Sequence, residues 1–221
     1  MEKIDNVIIE EAYNHTFSGL TMYYRDCDLN PEWIARYKTD QILMERGFTD
    51  VSSFAEGLDK NLRYAIASNK AVYMGQINPD VAKFGFNLIS APSYYKVLDI
   101  YTIEDKTQVL LLHFDQKYMD VFNSVKSNIE EKVIGMGRES LDKKMLMQPN
   151  HDLNSQQWSE RTSLPVGMSH NGIFFTDMEN DPSTSGPQDG LAQTDPDHHN
   201  TTGRRDTAKS KNGFWKRLFG G

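Results

Sequence analysis

The sequence predicts an α+β protein: a four- to five-stranded, largely antiparallel sheet packed with helices and followed by a disordered tail. Three observations carry that prediction. Helix-capping signals fill the first seventy residues, and the hydrophobic period changes from helical to strand-like after Asn69. The strand-like segments are also joined by connections far too short for parallel crossovers.

Residues 3–14 place Ile4, Ile8 and Ala12 four apart, with Val7 beside them, which predicts a short helix. Residues 19–25 alternate Leu20, Met22 and Tyr24, a strand pattern. Asn30-Pro31-Glu32 is the clearest helix start in the chain. Asn30 is a capping residue, Pro31 stands where its missing N–H is harmless, and Glu32 suits the first turn. This helix is expected to run through Trp33, Ile34, Tyr37, Gln41 and Met44 and to stop at Gly47. Ser53 and Glu56 have capping-box spacing and predict a second helix, antiparallel to the first, with Phe54, Leu58, Leu62 and Ile66 on one face.

Residues 71–77, 83–89, 95–103 and 107–114 are rich in β-branched and aromatic residues. Turn signals separate them: Asn78-Pro79-Asp80, Ala91-Pro92-Ser93 and Glu104-Asp105-Lys106. They predict four antiparallel strands, with the unbroken apolar run at 109–112 in a central position. Asp115 is expected to cap a long helix over 116–134 whose inward stripe is Tyr118, Phe122, Val125, Ile129 and Val133. Gly135 and Gly137 read as its stop, and a helical segment over 139–147 closes the domain.

Charge divides the chain in three. Residues 1–149 hold 17 Lys/Arg against 22 Asp/Glu; residues 150–203 hold only Arg161 against eight acids; residues 204–221 hold six basic residues against Asp206. The expected organisation is a folded α+β domain over 1–149, an acidic, polar and disordered linker over 150–208, and a basic amphipathic peptide over 209–221. Fifty unstructured residues would span roughly 40 Å. Gly172-Ile173-Phe174-Phe175 is an apolar island in the linker, read either as a loop packing back on the domain or as a linear motif. The single cysteine, Cys27, excludes an internal disulfide framework, and the acidic start lacks a signal-peptide pattern. A cytoplasmic protein is expected, placed peripherally at the inner face of the membrane if its last residues bind lipid.

Catalytic motifs are sparse. No phosphate-binding loop, dinucleotide fingerprint or nucleophile elbow occurs, and the histidines lack metal-ligand spacing, so no cofactor, metal or catalytic residue is assigned. Asp26 and Asp28 would raise the Cys27 pKa, the wrong direction for a nucleophile. His113, at a strand end, reads as a boundary residue, with a small enzyme built around it as an alternative. The aromatic residues of 84–122 lack interleaved cations, and the acidic balance of the domain excludes a nucleic-acid partner.

The functional signal falls at the end. On a helix, Phe214, Trp215, Leu218 and Phe219 share one face and Lys216 and Arg217 the opposite one, a pattern suited to an anionic membrane surface or a partner's groove. The sequence therefore reads as a non-enzymatic interaction or adaptor protein with a protein partner, tethered through those six residues. An acidic inhibitor that neutralises a basic partner is the competing reading.

Overall fold

The computed structural model describes residues 4–176, all within one compact unit, Met1–Asp181. The fold is α+β, as expected, but the sheet is larger than four or five strands. It has eight, in the order β2-β7-β8-β4-β1-β3-β6-β5. They are β1 (Thr21–Cys27), β2 (Ile42–Glu45), β3 (Thr49–Ser52), β4 (Leu62–Ser68), β5 (Val72–Tyr73), β6 (Phe86–Ile89), β7 (Ser93–Ile103) and β8 (Lys106–Phe114). The sheet is mixed: β4 runs parallel to β8, Leu62 facing Thr107, while the other pairs are antiparallel.

The extra strands come from segments whose sequence reads as helical. The Asn30 cap forms, its Oδ1 accepting from Glu32 N at 2.9 Å, but the helix it opens, α2 (Pro31–Ile34), lasts one turn. The chain then extends into β2, paired with β7. The expected helix from Ser53 is also absent: Ser53 Oγ donates to Gly85 O, and Leu62 and Ile66 lie in β4. Every residue of β4 is buried. A strand covered on both faces and paired on both edges has no solvent-facing positions to display a period of two. Its apolar residues then match helical spacing by coincidence.

Two apolar layers sandwich the sheet. Leu62, Tyr64 and Ile66 of β4 join one, with Tyr37, Val97, Leu111, Val166 and Phe174. Ala65 and Ala67 face the other, formed with Ala12 and Tyr13 of α1 (Asn6–Phe17), Phe122 of α3 (Met119–Ser124) and Val133 of α4 (Asn128–Lys144). The single helix expected over 116–134 is broken at Val125, which is extended, and Ser127 caps α4 afresh. Gly135 and Gly137 lie inside α4 rather than ending it. At Gly137 a Cβ would come within 3.1 Å of Leu110, and its carbonyl accepts from Gln108 Nε2 at 3.1 Å. The glycine lets α4 approach β8 closely.

The sheet is strongly curled. β2 and β3 are separated by four other strands, yet only residues 46–48 join them. Five flat strand spacings would be ~24 Å, whereas the connection reaches at most ~14 Å. The ends are brought together, and Tyr95 of β7 donates to Thr49 Oγ1 of β3 at 2.9 Å. Beyond residue 149 the chain forms α5 (Gln156–Thr162), burying Trp158 between Phe84, stacked at 5.2 Å, and Phe86. A strap over 164–175 then crosses the curled sheet. Phe174 of the apolar island packs edge-on against Tyr37 and is part of the core, so the island packs back on the domain, with Ile173 left exposed.

Candidate ligand pocket

A cavity of about 500 Å³ lies where the β2–β3 connection meets α5 and the strap. Its walls include Arg25, Glu45, Phe48, Arg161, Leu164 and Phe175. Arg25 is on β1, opposite Tyr64 of β4, and is only 6% exposed. Its Nη1 donates to Asp50 O and its Nη2 to Leu164 O, both at 3.0 Å, while its buried Nε has no partner. Arg161 reaches in from α5. Its Nη1 donates to Asp50 Oδ2 at 2.9 Å, and its guanidinium lies over the Phe86 ring.

Glu45, the last residue of β2, fixes the strap to the sheet. Its two carboxylate oxygens accept from Gly47 N and Gly167 N, each at 2.8 Å. Gly167 has φ +78°, a conformation suited to glycine, and a Cβ there would come within 3.0 Å of Leu43. Val166 completes the anchorage: its carbonyl accepts from the Tyr37 hydroxyl and its N–H donates to Tyr64. Burial raises the Glu45 pKa, opposed by the amides and by Arg25. Burial likewise raises that of Asp50, against the pull of Arg161. The pocket therefore offers guanidiniums for an anion, a carboxyl group of increased proton affinity, and the exposed ring of Phe48 at its rim.

Of the residues singled out in the sequence, the described ones lie elsewhere. Phe214, Trp215, Lys216, Arg217, Leu218 and Phe219 are outside the described residues. Cys27 is buried, and desolvation pushes its thiol up to about 12. Asp115, expected as a helix cap, makes no capping bond; it pairs with Lys70 and with His15.

His113 is buried beside Ser68, Nδ1 to Oγ 2.8 Å, and does not line the cavity. Burial pushes its pKa down to about 4. Between pH 6.5 and 4 the unfolded chain therefore binds more protons at His113 than the folded one, so stability falls as pH is lowered through that window. Denaturant unfolding across this range is expected to show part of that slope removed in His113→Gln; an identical slope in the variant would refute the assignment.

Neither a protein-family model nor a curated protein matches the chain. Several solved structures resemble part of it. The type III effector XopAI from Xanthomonas axonopodis pv. citri matches at 15% identity and TM-score 0.37, over 43% of this chain and 41% of its own. The ADP-ribosyltransferase HopU1 of Pseudomonas syringae pv. Tomato DC3000 gives 16%, 0.37, 43% and 46%. Exoenzyme S from Pseudomonas aeruginosa, bound to carba-NAD and human 14-3-3 protein beta, gives 10%, 0.38, 55% and 64%. The chain thus spans less than half the length of the first two. At these scores the likeness assigns no reaction. The non-enzymatic adaptor expected from the sequence is nevertheless corrected: the proteins so matched include ADP-ribosyltransferases rather than adaptors.

Proposed function

We propose that the chain is an enzyme that binds a small phosphate-bearing ligand in this cavity. Arg25 carries the reading. A guanidinium held at 6% exposure with one N–H unpartnered is costly for a fold to keep, and here it forms part of a cavity wall with a second guanidinium beside it. Such forks match phosphate oxygens in geometry and charge. The Phe48 ring at the rim suits an aromatic base, and Glu45 is placed to accept a proton from a bound substrate.

Carba-NAD in the exoenzyme S complex makes a dinucleotide the first probe to try; the pocket, not the resemblance, supports the reading. A protein partner, as exoenzyme S has in that complex, remains part of the proposal. Thermal unfolding of the full chain with NAD, ADP-ribose and inorganic pyrophosphate tests it. At least one is expected to raise the transition by several degrees, with Arg161→Gln abolishing the shift and Phe48→Ala weakening it for the ring-bearing compounds alone. No shift with any of the three, or a shift that Arg161→Gln leaves intact, would rule the pocket out.

A further inference from the structure

Both guanidiniums of the pocket are held by one residue. Asp50, on β3, accepts from Arg25 through its main-chain oxygen and from Arg161 through Oδ2. The Asp50 and Arg161 side chains are 14% and 19% exposed, so little water screens the pair. Arg25 and Arg161 line the cavity and Asp50 does not. We infer that Asp50 is the affinity-setting residue of this pocket, an internal counter-anion whose carboxylate offsets Arg161 and competes with an incoming phosphate group for it. The inference rests on the ligand reading above.

Charge at the site supports it. Arg25 and Arg161 are opposed by Glu45 and Asp50, so the pull of the guanidiniums on an approaching anion is reduced. Removing the Asp50 charge alone leaves a net positive site. The carboxylate is also desolvated, which raises its pKa against the pull of Arg161 and Arg25, and a buried ion pair of this kind is weak evidence of a stabilising role. Asp50 sets how tightly Arg161 is available to a ligand, as a positioning residue rather than a catalytic one.

Isothermal titration of the full chain with inorganic pyrophosphate tests this. Asp50→Asn keeps the side-chain shape and the main-chain acceptor for Arg25. It is expected to bind about tenfold tighter or more, since a close charge pair couples by one to three pKa units, each a factor of ten. In an Arg161→Gln background the same substitution should bring no gain, because the competed-for group is gone. Asp50→Ser carries the same expectations should Asp50→Asn not fold, folding being read from the thermal transition. Unchanged or weaker binding by the folded variant overturns the inference and leaves the pocket reading standing. A gain that persists without Arg161 also overturns it, as a general charge effect. Absence of binding by wild type and variants alike removes the ligand reading, and the inference with it.

Discussion

Trp158→Ala is expected to destabilise the protein by about 3–5 kcal/mol, the range for removing a fully buried large aromatic side chain. Trp158 is 1% exposed, stacked on Phe84 and edge-on to Phe86, and it anchors α5 against β6 and the 3-10 turn at Pro79–Phe84. The loss should appear in urea unfolding as a lower midpoint with an unchanged slope, and in heating as a shift on the order of 10 °C. The same substitution should weaken ligand binding, because α5 carries Arg161. A variant as stable as wild type would mean that residues beyond 149 are an appendage and not part of the folded domain.

Glu130→Ala is expected to cost a similar amount, about 3–5 kcal/mol, for an electrostatic reason. Lys96 of β7 is 2% exposed and donates to Glu130 Oε2 at 2.9 Å, with Val125 O as a second acceptor at 3.2 Å; Tyr13 donates to Oε1 at 2.8 Å. Removing the carboxylate leaves the buried ammonium with only Val125 O and the more distant Asp40, 3.9 Å away, and takes an acceptor from the buried Tyr13 hydroxyl. Replacing both ends with apolar residues of similar size, Lys96→Met with Glu130→Leu, should recover most of the loss. If the double variant is no better than Glu130→Ala in equilibrium unfolding, the cost lies in packing and not in the uncompensated charge.

How much of this was legible in the sequence varied by element. The strands β6, β7 and β8 were, because β-branched and aromatic runs sit between strong turn signals. The Asn30 cap was also legible, as a start without a length: nothing in 35–41 shows that Ile42–Glu45 is claimed by β7 after a single helical turn. β4 was misread because burial on both faces removes the alternation that identifies a strand. Gly137 has the composition of a helix stop, and only the nearness of Leu110 reveals its actual use. The pocket was the least legible part. Arg25, Glu45 and Arg161 come from three distant stretches, and it is the curl of the sheet that brings them to one wall. Two faint signals existed: the charged pair Arg25-Asp26 set between Tyr24 and Cys27 in a strand, and the lone Lys/Arg among the acids of 150–203.

The parallel pairing of β4 with β8 has a consequence for how the protein is made. The edge of β4 opposite β1 is closed by a strand whose first pairing residue, Thr107, is synthesised long after Leu62. A nascent chain that has not yet released Phe114 from the ribosome therefore presents β4, every residue of which is buried in the folded domain, with one hydrogen-bonding edge open. The domain acquires its core late in translation, and the interval before β8 emerges is when a chaperone would find the most to hold.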